Sequence, residues 1–547
     1  MEQLLPLVER ELVNLGGRPG DDGAAADRVD EDIDAAVLVD DALDRGGHLR
    51  GVERVGHEAL RGPARGPDGA HGLIEGILVD LDADDRSALP ADDLGRRPSD
   101  ASARGGDQRD PSLESHGLSS VHMRYMCAPD PRPRDLPCQF AAATLPAMKY
   151  EMISADCHLD LCWLPPDLFT ARASAGLKDR MPYTKEGPRG PVWVTNRGAS
   201  LGMACGMGSA GREYIPGRIH RSDRMASTGL YEDGKRGIRR ITDPDLRLRD
   251  QDRDGVQAEV LYGVLGTTGR MNDPEAAVEV LRIYNEWLAD FCSTHPERYA
   301  GLASIPNHPL EAAISEVERV VKRGALRGLD IANSSDLKPL WDPYWNPLWD
   351  VIDGCGLPLH FHTVGGYTPD NIRKIIAIGS DPTRANAPDA PKVDLPVARS
   401  AFASNITQFQ MNMSNILTSM IFSGVFERYP RMKLVLGESG IGWIPYVLWR
   451  MDAEWEDQFK DLSLTMPPSE YWKRQCWATY QTDPIGVKLL DELGADKVMW
   501  GSDFPHPDGV WPDSREYIAR ELGHLPADVR RKVVCENAGK LYGLISK

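Results

Sequence analysis

Tyr299-Ala300-Gly301-Leu302-Ala303-Ser304-Ile305 is followed by Leu310–Arg323 and then by Leu326-Arg327-Gly328-Leu329-Asp330-Ile331. The first and last runs are short and apolar and sit between Gly, Pro or Asn, the pattern of buried strands. Between them Leu310, Ala313, Val317, Val320 and Val321 recur at three-or-four spacing, which builds one buried helix face, and Gly324 closes it. The same alternation runs from residue 149 to the end. Strands are expected at Tyr150–His158, Ala258–Gly263, Tyr299–Ile305, Leu326–Ile331, Pro358–His362, Lys433–Glu438, Cys476–Thr482 and Lys497–Asp503. Helical patterns between them include Pro274–Thr294, Leu310–Arg323, Ile406–Arg428, Ile444–Lys460 and Gly486–Leu493. Eight strands alternating with helices predict an α/β fold, a (β/α)8 barrel.

In such a barrel the strand C-termini share one rim, and three of them carry acidic and imidazole side chains. Asp156-Cys157-His158 ends the first strand, His360-Phe361-His362 the fifth, and Asp503-Phe504-Pro505-His506 follows the eighth. Alternation along a strand puts Asp156 with His158, and His360 with His362, on one face. Carboxylate and imidazole converging from several strands suit a catalytic divalent metal with mixed N and O ligands. Glu438, after strand six, can act as acid or base or bind substrate, and His506 can donate a proton. His360, Tyr480 and Gln481 are expected to line the substrate pocket. Trp341, Trp345 and Trp349, four residues apart, read as core packing.

Composition divides the chain of 547 residues near position 148. The first aromatic residue is Tyr125, the first lysine is Lys149, and all 13 tryptophans come at Trp163 or later. Residues 1–147 therefore read as a low-complexity, disordered extension or as translated upstream sequence, with a start at Met148 or Met152, and 148–547 as the barrel domain. A net charge of −19 argues against a nucleic-acid surface. No apolar run reaches a bilayer-spanning length, no secretory signal opens the chain, and nine cysteines show no Cys-x-x-Cys pair, so a cytoplasmic protein is expected. Two segments, Thr170–Asp245 and Thr363–Ala403, read as long irregular loops over the catalytic face. Arg212, Arg218, Arg221 and Arg224 in the first are candidate contacts for a substrate carboxylate.

From about residue 150 to Leu544 the chain resembles the amidohydrolase-related family of metal-dependent barrel hydrolases, which includes aminocarboxymuconate-semialdehyde and γ-resorcylate decarboxylases. The resemblance is carried by Tyr284-Asn285-Glu286-Trp287, His295-Pro296-Glu297-Arg298, Gly501-Ser502-Asp503-Phe504-Pro505-His506 and Glu536-Asn537-Ala538. It implies a metal held by Asp156, His158, His362 and Asp503, the positions matching the family's strand-one pair, strand-five histidine and strand-eight aspartate. One departure stands out. The decarboxylases place a histidine after strand six, in a Gly-His-x-Gly-like turn followed by Pro, where this chain has Gly437-Glu438-Ser439-Gly440 and then Pro445. Binuclear members bridge two metals through a strand-four lysine; Leu326–Asn333 contains none, which implies one metal, zinc first, with manganese or iron as alternatives. The resemblance further implies a small-molecule substrate and a homo-oligomer.

The leading expectation is hydrolysis by a metal-activated water, with Asp503 moving the proton. A non-oxidative decarboxylase using the same ligands is the alternative, and a barrel that binds without catalysis is the third reading.

Overall fold

The computed structural model describes residues 148–545 except 207, 210–211, 265, 335 and 364–369; the expectation for residues 1–147 lies outside the described residues. Eight parallel strands form one sheet: β1 Ile153–His158, β2 Ala258–Tyr262, β3 Tyr299–Ile305, β4 Gly328–Ile331, β5 Leu359–His362, β6 Leu434–Gly437, β7 Cys476–Tyr480 and β8 Val498–Trp500. Each pairs with the next in sequence. The sheet closes where Cys157 bridges Phe504, with the His158 amide donating to the Phe504 carbonyl at 2.8 Å and the Asp503 amide to the Asp156 carbonyl at 2.8 Å. The chain is a (β/α)8 barrel, and every expected strand is present. In all strands but β7 each residue is buried, as barrel strands covered on both sides must be; in β7 only Trp477 is half-buried.

The helices pack outside. Pro274–Thr294 and Leu310–Arg323 have the bounds their periodicity predicts, and Gly324 ends the second at a φ of 69°, a left-handed value that glycine adopts without penalty. Trp345 and Trp349 are fully buried, whereas Trp341 is 64% exposed. The expected helix Ile406–Arg428 is three pieces, Leu395–Gln408, Met413–Phe422 and Val425–Arg428, the last set off by Gly424 at φ 70°.

The two long insertions are more ordered than irregular loops. The first contains an antiparallel sheet of Tyr183–Gly187, Gly190–Val194 and Ser200–Met203, then helices His220–Ser227 and Leu230–Lys235. The second contains helices Asp370–Ser380 and Leu395–Gln408, packed on each other. Pro396 occupies the first turn of the second of these helices, where a missing N–H costs nothing. Of the four arginines in the first insertion, Arg218 donates to the Ser380 carbonyl, Arg221 to the Asp508 carbonyl, and Arg224 pairs with Asp513. These three tie loops together; the Arg212 side chain lies outside the described residues. No helix of the described residues is long and apolar enough to cross a membrane.

One buried charge pins the barrel seam. Arg247, on helix Pro244–Asp254, is fully buried and donates to Glu259 Oε2 of β2 at 2.6 Å and to the His158 carbonyl at 3.1 Å. Its guanidinium lies 5.0 Å from the Phe504 ring centre. Replacing Arg247 with Met leaves Glu259 buried and unpaired, and chemical denaturation is expected to show a loss of about 3–5 kcal/mol. The double variant Arg247→Met/Glu259→Leu is expected to recover most of it, because no lone charge then remains.

Candidate metal centre

The strand ends bring four of the expected ligands together. His158 Nε2 stands 3.3 Å from Asp156 Oδ1 and 3.0 Å from Asp503 Oδ1, and His362 Nε2 is 3.4 Å from Asp156 Oδ1. All four residues are at most 1% exposed. A cation with ligands at about 2.1 Å spaces neighbouring donor atoms roughly 3.0–3.4 Å apart; Asp156, His158 and His362 form one triad whose separations fit a shared ion, and Asp503 meets it through His158. The hydrogen bonding agrees: neither nitrogen of His158 nor Asp503 Oδ1 has an aligned partner among the described residues, and Glu438 Oε1 has none either. Buried polar atoms left unpaired at one point are costly unless something else occupies it. Two overlapping triads extend the cluster, His158–Asp160–His506 and Glu438–Asp503–His506.

The local chain explains this placement. The β1–β2 register shifts between Ser154 and Cys157, an irregularity that re-aims the strand end carrying Asp156. Asp156 Oδ2 accepts from Thr479 Oγ1 at 2.6 Å and from the Glu438 amide at 2.9 Å, which leaves Oδ1 facing the histidines. Glu438 and Asp503 both adopt left-handed φ values, 47° and 57°, uncommon for non-glycine residues and frequent where a site imposes its geometry.

Burial alone would raise the Asp156 carboxyl, but the charges and hydrogen bonds of His362 and His158 hold it well below the usual range. Asp503 is lowered to about 2 against its own burial, chiefly by His506 and His158. Glu438 moves the other way: burial, then the charges of Asp503 and Asp508, push its carboxyl well above normal. Burial disfavours the charged His506 ring, yet Asp160 and Asp503, whose oxygens lie 2.9 and 3.1 Å away, raise it well above normal. Of the cluster's carboxyls, Asp156, Asp160 and Asp503 are thus held below the usual range and Glu438 above it.

The remaining expected residues divide. Gln481 reaches the cluster, donating to Asp503 Oδ2 at 3.3 Å. His360 departs from the expectation. Its ring nitrogens are taken by the Leu329 carbonyl and the Tyr542 hydroxyl, each at 2.8 Å, one layer below His362 in the barrel interior. Tyr480 departs too, because alternation sends Thr479 and Gln481 inward and Tyr480 outward, towards Glu521 and Asp483. Two site residues lay outside the sequence reading. Thr479 was legible as the period-two neighbour of Gln481. Asp160 was legible as the next alternate position after Asp156 and His158; it bonds His506 and lies 3.7 Å from His158 Nδ1.

A barrel with a buried carboxylate–imidazole cluster at its C-terminal rim defines a class, the metal-dependent barrel enzymes. The amidohydrolase family model matches residues 155–544, and the chain belongs to that family. A 2-amino-3-carboxymuconate-6-semialdehyde decarboxylase of Dictyostelium discoideum is 27% identical over 270 residues, 49% of this chain and 68% of the relative. A γ-resorcylate decarboxylase of Polaromonas sp. is 25% identical over 272 residues, 48% and 76% respectively. The crystal structure of an amidohydrolase from Mycobacterium avium subsp. paratuberculosis shares the fold, with a TM-score of 0.54 at 20% identity over 73% of this chain and 100% of the other.

Thr479 donates to Asp156 Oδ2 and so orients that carboxylate. Thr479→Val is expected to weaken divalent-cation affinity about 10–100-fold with unchanged circular dichroism, measured by competition against a chromophoric chelator. Unchanged affinity would remove it from the site.

Proposed function

We propose that the protein is a metal-dependent non-oxidative decarboxylase of a small organic carboxylate. Asp156, His158, His362 and Asp503 would hold one divalent cation, which supplies Lewis-acid polarisation of the bound carboxylate and its neighbouring oxygen. The observation that carries the reading is the pairing of those four donors with Glu438, a buried acid whose Oε1 has no partner among the described residues. The decarboxylase names of the curated relatives favour it over hydrolysis, the other reaction this ligand set supports.

In this reading Glu438 delivers its proton to the substrate carbon that bears the carboxylate. The bond to the carboxylate then breaks, its electron pair restores the carbon–carbon double bond that the proton had drawn on, and carbon dioxide leaves. Solvent returns the proton to Glu438. His506, held between Asp160 and Asp503, fixes the orientation of the strand-eight carboxylate, and Gln481 holds its other oxygen. Glu438 stands in the turn after strand six where the family resemblance implies a histidine, and in this reading it presents an acidic proton from that turn. Burial, with the charges of Asp503 and Asp508, pushes that carboxyl up and so favours its protonated form.

Carbon dioxide release from 2,6-dihydroxybenzoate and related hydroxy- and amino-carboxylates tests the reaction, with lactones and amides as hydrolysis controls. Release is expected only from the carboxylates and is abolished by chelation. Glu438→Gln is expected to lower the rate about 10²–10⁴-fold with metal content retained. Turnover of lactones or amides without carbon dioxide release would replace this reading with hydrolysis.

A further inference from the structure

The second insertion ends on the metal centre. Of the residues in its helix Leu395–Gln408 only Ala398 is buried, while Leu395, Val397 and Ile406 are exposed, so burial does little to fix where this helix stops. A short 3-10 turn, Gln410–Asn412, then leads into the helix Met413–Phe422, half of whose residues are buried. Two side-chain hydrogen bonds hold that junction, and both come from strand ends that carry cluster residues. Thr363, directly after His362 of β5, donates through Oγ1 to the Phe409 carbonyl at 2.8 Å. Gln410 Nε2 donates to Gln481 Oε1 at 3.2 Å, and Gln481 Nε2 donates in turn to Asp503 Oδ2 at 3.3 Å.

The direction of this relay is set by its inner end. A carboxylate accepts, so the Gln481 NH2 faces Asp503 and its oxygen faces the Gln410 amide. The two oxygens of Asp503 therefore have separate duties. Oδ2 takes the relay, and Oδ1 stays with the cluster, 3.0 Å from His158 Nε2 and 3.1 Å from His506 Nδ1. The turn after β6 is shaped to admit the outer end. Gly440 has a φ of 60°, and a Cβ there would stand 2.8 Å from Gln410 Oε1, so any side chain at 440 would push Gln410 off Gln481. The ends of β5, β6 and β7 thus all bear on residues 409 and 410.

We propose that Gln410 is a positioning residue for the metal centre: it locks the Gln481 amide and, through it, Asp503, so that the seating of the second insertion sets the strand-eight carboxylate. The role rests on Asp503 being a metal ligand and is the same whether the centre decarboxylates or hydrolyses. Without the Gln410 donor, the Gln481 oxygen loses its partner and the amide is free to turn. Each turn that brings that oxygen to Asp503 sets two acceptors against each other and drives the carboxylate from its place.

Titration of the full chain with Co²⁺ against a chromophoric chelator, with the visible absorption of the loaded protein as a second readout, tests this in a double-mutant cycle. Gln410→Met keeps the length of the side chain and removes its donor. It is expected to weaken Co²⁺ affinity about 3–10-fold and to alter the absorption bands, with unchanged circular dichroism. Gln481→Met is expected to lose at least as much, and the double variant no more than Gln481→Met alone, because Gln410 acts through Gln481. Affinity and bands that stay at wild-type values in Gln410→Met overturn the role. Losses that add in the double variant overturn it too, since they mark an effect that bypasses Gln481. Wild-type protein that takes up no Co²⁺ overturns the metal centre itself, and this role with it, which separates the failure of that reading from the failure of Gln410 alone.

Discussion

A single buried carboxylate, Asp156, joins the construction of the barrel to its chemistry. One of its oxygens is satisfied from β7 and from the turn after β6, and the other faces histidines on β1 and β5. Its backbone carbonyl takes the amide of Asp503, so the eighth strand closes against the first through the same residue. An isolated carboxylate in an apolar interior carries a heavy desolvation cost, which is met only by donors and positive charge on every side. That requirement forces five strand ends to meet at one point. The barrel seam and the cation cluster are one arrangement seen from two directions.

The same arrangement accounts for the strain at the rim. Glu438 and Asp503 are the two residues of the cluster with left-handed backbones, and each spends its amide on Asp156, through a carboxylate oxygen in one case and the carbonyl in the other. Conformations of this kind cost about 1–3 kcal/mol each and persist where the surroundings over-determine them. The Arg247–Glu259 pair behind His158 and the fully buried strands supply the rigid background. Stability is spent on holding the carboxyls of Asp156, Asp160, Glu438 and Asp503 together where water would scatter them.

Much of this was legible in the chain. Period-two and period-3.6 patterns located all eight strands and fixed two helices to the residue, because barrel strands and their covering helices are selected for burial alone. Alternation put Asp156 with His158, and His360 with His362, on one inward face, and the family resemblance singled out His362 and Asp503 as ligands. Where that rule was not applied, the reading slipped. Tyr480 faces away while Thr479 faces in, and His360, though on the correct face, sits a layer too deep to meet the cluster. The ordered insertions were hidden because prolines at helix starts look like prolines in loops. The Asn285 of the family-like Tyr284–Trp287 segment brackets β3, accepting from the Ser304 amide and donating to its carbonyl, so that motif records packing. Reaction type was the least legible property, since hydrolysis and decarboxylation ask for the same ligands and differ in one proton donor.

The central claim is that one divalent cation sits among Asp156 Oδ1, His158 Nε2, His362 Nε2 and Asp503 Oδ1. Anomalous X-ray diffraction from crystals of the protein as isolated, collected on both sides of the absorption edge of the metal found by elemental analysis, tests it most directly. The account predicts one strong anomalous peak within about 2.0–2.2 Å of those four atoms. No peak there, two peaks, or one displaced to other residues would contradict it.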